Sequence, residues 1–314
     1  MIRGLLRQPA GAPEAEALAR VQPALPDLVA LRAAARGLPP LARAAQTRRH
    51  GPYSAPMKGR GMEYVESRPY QPGDDIRALD WRLTARSGRP HTKLFQEERD
   101  RPVCLGIDLR ASMAFATRGV FKSVLAARTA ALLAWKTVET GDRLGSVLLA
   151  DAGPVDLPPA RGQVAALRVL KRLVLEAGRR GSAEPERPGL DALAARLARL
   201  TRPGSLVFVL GDFRDLAAAE ADFARLAAHS DVMFIACEDP FEQALPALPA
   251  NLRVTDGRLR ALVGLDDDVT RQRYAARATA RADALTTFCR SHRIRLLRLA
   301  TDADPVVALR KAAP

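Results

Sequence analysis

Aromatic residues are scarce: Phe, Trp and Tyr supply 5% of the 314 residues, so Ala, Leu and Val must fill most of any interior. Cysteine is scarcer still. Cys104, Cys237 and Cys289 stand far apart with no C-x-x-C spacing, which argues against a zinc site or a redox pair. Cys104 and Cys237 sit inside apolar runs, where a buried, inert thiol is expected. His50, His91, His229 and His292 fall in four unrelated segments without ligand spacing. No G-x-x-x-x-G-K-[ST] loop is present, so the chain is not expected to bind ATP itself, and no G-x-S-x-G elbow appears. Long hydrophobic runs are missing as well. "VLAARTAALLAW" is broken by Arg128 and is too short to span a bilayer, and the first twenty residues lack the apolar core of a signal peptide. These absences lead to the expectation of a cytoplasmic protein with no cofactor.

Positive charge is abundant. The formal net charge is +14, carried mostly by Arg spread along the chain. An Ala- and Arg-rich composition also follows from a GC-rich coding sequence. No run of basic residues alternates with aromatics, as a single-strand binding surface requires. Diffuse basicity predicts weak, salt-sensitive attraction to any polyanion and no specific nucleic-acid recognition.

From Pro102 onward the pattern is regular. Val103–Leu109, Leu144–Ala150, Ser205–Asp212 and Asp231–Asp239 are short continuous apolar runs with the length of strands buried on both faces. Helical periodicity fills Lys122–Thr140, Gln163–Glu176, Leu190–Leu200 and Leu216–His229. Alternating strands and helices predict an α/β fold, a mostly parallel sheet with helices on both faces. Arg293–Ala300 is expected to add the last strand. Asn251–Gly264 reads as a hairpin turning at Asp256-Gly257, an insertion at the sheet edge. Residues 1–50 read as helix with Pro breaks, 51–101 as a separate segment, and 102–314 as the α/β domain.

The densest chemistry lies in "SRPYQPGDDIRALDWRLTAR", Ser67 to Arg86. Ile76, Leu79 and Leu83 recur at helical spacing and predict a short helix over 74–86 with one apolar face. Pro72-Gly73 makes the turn before it, Asp74 or Asp75 caps it, and Trp81 is expected to anchor it. Arg77, Asp80, Arg82 and Arg86 lie opposite at ion-pair distances, with Arg68 and Tyr70 leading in. Asp74, Asp75 and Asp80 offer a metal or acid–base centre, hence a metal-dependent hydrolase as an alternative function. An Arg within reach of each carboxylate lowers its pKa and makes it a poor proton shuttle, which favours a structural or partner-docking element.

Residues 59–113, "GRGMEYVESRPYQPGDDIRALDWRLTARSGRPHTKLFQEERDRPVCLGIDLRASM", resemble the signature of a MoxR-associated bacterial family, domain of unknown function fifty-eight (DUF58). Arg68, Tyr70, Pro72-Gly73-Asp74-Asp75, Arg77, Asp80-Trp81 and Ala85-Arg86 fall in register. The likeness runs from about Gly51 to the C-terminus. It implies a core similar to a von Willebrand factor A domain and work beside a MoxR-type AAA+ ATPase, as an adaptor or in chaperone-like maturation of a client protein. Many members carry N-terminal membrane helices; this sequence is expected to be of the shorter, soluble type.

Such cores often hold Mg²⁺ through an Asp-x-Ser-x-Ser loop, a Thr from a second loop and an Asp from a third. Against that pattern Asp108, Ser112 and Asp212 are present, Arg110 replaces the middle Ser, and Leu190 takes the Thr position. A guanidinium ~4 Å from a divalent ion repels it by at most roughly 8 kcal/mol at an effective dielectric of about 20. A degenerate site follows, binding Mg²⁺ weakly or not at all. One expectation is that Arg110 replaces the cation by pairing with Asp108 and Asp212. Another is that the rim formed by Arg110, Arg214 and Asp215 docks a partner, Arg110 or Arg214 gripping its carboxylate, so that charge reversal there leaves melting nearly unchanged.

Overall fold

The computed structural model describes residues 12–40, 62–97, 102–179, 188–247, 251–255 and 260–312. The chain forms two units, residues 44–100 and the remainder; the expected boundaries after residues 50 and 101 fall outside the described residues. It opens with three helices, α1 (Ala12–Val21), α2 (Leu25–Ala30) and α3 (Arg32–Arg36), which belong to the larger unit.

In the smaller unit β1 (Met62–Pro69) pairs antiparallel with β2 (His91–Glu97). Between them lie a 3-10 turn, Ile76–Ala78, and α4 (Trp81–Ser87). The single helix expected over 74–86 is thus two pieces. Apolar period alone does not register that Asp80 is non-helical (φ −87°, ψ 84°) and caps α4 by accepting from the amides of Arg82 and Leu83. Gly88, at φ +70°, ends α4 in the left-handed conformation that glycine adopts freely. Trp81 does not anchor the segment: it is 67% exposed, and Ile76 is 64% exposed.

The larger unit continues with β3 (Val103–Asp108), α5 (Lys122–Glu139), β4 (Leu144–Ala150), β5 (Gly153–Ala160), α6 (Gly162–Gly178), α7 (Leu190–Leu200), β6 (Leu206–Gly211), α8 (Leu216–His229) and β7 (Asp231–Glu238). Then come α9 (Pro240–Gln243), β8 (Asn251–Thr255), β9 (Arg260–Gly264), α10 (Asp268–Ser291), β10 (Arg295–Ala300) and α11 (Pro305–Lys311). Six strands form one sheet in the order β10-β7-β6-β3-β4-β5, parallel except for β5, which runs antiparallel to β4. Helices cover both faces of this sheet, and the chain adopts a von Willebrand factor A-like α/β fold. The hairpin forms, but β8 and β9 make a two-stranded sheet of their own instead of extending the main one; the Asp256-Gly257 turn lies outside the described residues. Strand β5 escaped the periodicity argument, since Pro154, Pro158 and Pro159 break any β-like run and are tolerated because β5 is an edge.

Fifteen of the eighteen residues of α5 are buried, because α3, α6 and α11 pack around the sides that the sheet leaves open. Its alanines permit the close approach, and Leu125, Leu132 and Leu133 each contribute roughly 1.5–3 kcal/mol by burial. On the opposite face α7 lies so near β3 that a Cβ at Gly106 would stand 2.6 Å from a Leu197 methyl carbon. Cys104 on β3, Cys237 on β7 and Cys289 on α10 are buried free thiols. Burial pushes the first two up to about 12 and the third to about 11.

Candidate functional site

Polar chemistry in the larger unit gathers where β3 and β6 end, the usual ligand position in an open parallel sheet. Asp108 closes β3 and is fully buried. Asp212 follows β6, and the next residue, Phe213, takes a left-handed φ of +50°. Such a conformation is costly for a bulky side chain; burial and stacking on Phe234, with ring centroids 4.5 Å apart, offset it.

Arg110 lies against two carboxylates. Its Nε and Nη2 donate to Asp108 at 3.0 and 2.7 Å, and its Nη1 and Nη2 donate to Asp215 at 2.7 and 2.9 Å. Nη1 also donates to the Pro188 carbonyl at 3.3 Å. A guanidinium has five N–H donors, and all five are engaged. The expected bridge from Arg110 to Asp108 and Asp212 therefore takes a different form, with Asp215 as the second carboxylate. Asp215 also accepts the Leu190 amide at 2.8 Å, so the residue at the Thr position contributes backbone while its side chain is buried in the core.

Asp212 has cations of its own. Lys122, the first residue of α5 and completely buried, places Nζ 3.0 Å from Asp212 and 2.7 Å from Glu242. Arg214 donates through Nε to Asp212 at 3.2 Å and through Nη2 to Glu242, and Ser112 also hydrogen-bonds Asp212. Sequence reasoning missed Lys122 and Glu242. One signal was available: a Lys at the start of an apolar helix opposes the helix dipole and needs a specific anion to hold it there.

Four carboxylates, Asp108, Asp212, Asp215 and Glu242, thus face three cations, Arg110, Lys122 and Arg214. Burial pushes the Asp108 carboxyl above its ordinary value, against the pull of Arg110. Burial also opposes ionisation of Asp212, but Lys122 and Arg214 together hold it below its ordinary value. Asp215 is lowered despite its burial by Arg110.

These residues do not fit Mg²⁺, which requires near-octahedral oxygen coordination. Both Asp108 oxygens accept from Arg110, Asp212 is held by Lys122 and Arg214, and Leu190 has no side-chain oxygen. The partner-rim expectation changes too. Arg110 has no donor left for an outside carboxylate, and reversing its charge sets a third carboxylate against Asp108 and Asp215, which must lower stability.

The signature carboxylates are each committed locally. Asp74 accepts from the Gln71 amide at 2.9 Å and from Arg68 at 2.6 Å, and both contacts hold it below its ordinary value. Asp75 caps the 3-10 turn through the Arg77 amide at 2.9 Å. Asp80, besides capping α4, accepts from the Ser67 hydroxyl at 2.8 Å and is likewise lowered, first by the Leu83 amide. The expected ion-paired helix face is not formed: Arg77, Arg82 and Arg86 have no carboxylate partner among the described residues. The Asp residues serve backbone amides instead, together with the Arg68 and Ser67 side chains of β1.

A family model described as "Protein of unknown function DUF58" matches residues 66–284. Uncharacterized protein Rv1480 of Mycobacterium tuberculosis and uncharacterized protein Mb1516 of Mycobacterium bovis are each 30% identical over 261 residues, 81% of this chain and 80% of theirs. Among solved structures, the conserved hypothetical protein BatB of Bacteroides thetaiotaomicron is 14% identical with TM-score 0.39, covering 68% of this chain and 96% of its own. An aerotolerance-related membrane protein of Bacteroides fragilis is 15% identical with TM-score 0.40 over the same shares. The SpRpn10 VWA domain is 12% identical with TM-score 0.36, over 69% and 96%. The expectation of a cytoplasmic protein is not upheld, one of these similar structures being described as an aerotolerance-related membrane protein. No helix among the described residues is long and apolar enough to cross a membrane.

Proposed function

We infer, for a chain that belongs to the DUF58 family, that it is a non-enzymatic protein-interaction module, an adaptor or chaperone-like partner of a MoxR-type AAA+ ATPase acting on a client protein. One observation carries the non-enzymatic part. Where a von Willebrand A-like fold can hold a divalent ion, this chain supplies its own cations, and Arg110, Lys122 and Arg214 engage the carboxylates that a metal would need. A carboxylate whose oxygens are taken up by a guanidinium, as in Asp108, ligates Mg²⁺ poorly, and Asp212, fixed by two cations and held below its ordinary value, is also a poor proton shuttle. The hydrolase alternative through Asp74, Asp75 and Asp80 loses support for a related reason, because each is spent on a cap or turn. The ATPase partnership rests on the family resemblance.

The test is capture of the MoxR-type ATPase of the same organism by the tagged full chain, with Mg²⁺ and again with EDTA. Saturable capture, equal in both, is expected. No capture overturns the partnership, and capture abolished by EDTA and restored by Mg²⁺ overturns the metal-independent reading.

A further inference from the structure

Helix α10 carries Arg273, Arg277 and Arg281 at four-residue intervals, and all three are exposed. Each interval advances about 6 Å along the axis, so the three form one row. Among the described residues none of the three has an ion pair; the nearby Arg271, by contrast, pairs with Asp268. Like charges four residues apart weaken a helix, and here no acidic residue interleaves to relieve them.

The row ends at a cavity. About 80 Å³ in volume, it is lined by Arg281, Arg214 and Arg298 together with Asp212, Glu238 and Glu242. The acids are already satisfied: Asp212 and Glu242 by Lys122 and Arg214, Glu238 by Arg298 and Gln243. Of the lining cations, Arg281 has no ion pair among the described residues. We propose that this row and cavity form a docking ridge for an acidic helical segment of a partner protein, whose carboxylates recur every four residues and whose last one enters the cavity against Arg281. A glutamate row on a helix repeats at the same ~6 Å step. The cavity has room for a carboxylate group. With Glu238 and Glu242 already neutralised, the one lining cation unpaired among the described residues matches the single charge of a carboxylate better than the several charges of a polyphosphate. The proposal deepens the interaction-module reading and rests on it.

The test uses the full chain and a fluorescent, Ala-rich helical peptide bearing three Glu residues four apart, with its Gln counterpart as control. Anisotropy titrations are run for the parent, for Arg277→Glu/Arg281→Glu, and for the charge-matched Arg199→Glu/Arg202→Glu. The ridge predicts binding of the Glu peptide only, weakened about tenfold or more in the ridge variant and little in the matched one, with unchanged thermal melts. Equal loss in both variants reveals a diffuse field and overturns the proposal. So does tighter binding of a single-stranded oligonucleotide of equal charge. The ATPase capture assay separates the two readings. A ridge variant that captures the ATPase as well as the parent sinks the ridge alone, whereas failure of the parent strikes the functional reading and leaves the ridge to the peptide titration.

Discussion

Lys122 is the residue on which the site turns. It is fully buried, starts a helix whose dipole repels it, and is held there by Asp212 and Glu242. Lys122→Met leaves both acids to a half-exposed Arg214, and removing one partner of a buried ion pair costs about 3–5 kcal/mol. Urea unfolding of the variant should show that loss with an unchanged m-value. Arg110→Glu should also melt well below the parent, whereas Arg86→Ala should melt with it, since Arg86 has no carboxylate partner among the described residues. Asp80→Ala should lower the melting temperature more than Asp80→Asn, because Asn still caps a helix. Thermal melts of the three signature variants decide this; a loss in Arg86→Ala equal to that in Asp80→Ala restores the ion-paired helix.

Elements were legible where one physical signal dominated. Buried parallel strands such as β3, β6 and β7 read as continuous apolar runs because both faces are covered. Strand β5 was hidden by its prolines, and the break at Asp80 by an apolar period that ignores capping. The candidate site was half legible for a similar reason. Asp108, Arg110 and Ser112 share one loop and can be read together. The contacts of Lys122 join residues 90 and 120 positions apart, which no local pattern encodes. At this scale the loops after β3 and β6 are tied by protein cations, so isothermal titration with Mg²⁺ should show nothing tighter than millimolar. Arg110→Ser alone should not create a site, because Lys122 still holds Asp212. A micromolar Mg²⁺ site in the parent, lost in Asp108→Ala, contradicts the arrangement.

The whole molecule should respond to acid in a defined direction. Asp212 and Asp215 have folded values below the ordinary 3.8, so their contribution is complete above that value and is lost as pH falls through the depressed ones. Asp108, raised by burial, works the other way, and its protonation partly relieves the site as pH begins to fall. Urea midpoints should therefore change little down to about pH 5 and then drop steeply below about pH 4. A midpoint that falls already between neutrality and about pH 5 contradicts this balance. The three buried thiols turn the same molecule into its own clock. Burial keeps Cys104, Cys237 and Cys289 protonated, so an alkylating reagent reacts only during an opening event. Cys289 sits on α10, whereas Cys104 and Cys237 sit in the sheet. Their labelling rates therefore time two different openings: the peeling of one helix, and the breaking of the sheet on which every loop of the site depends.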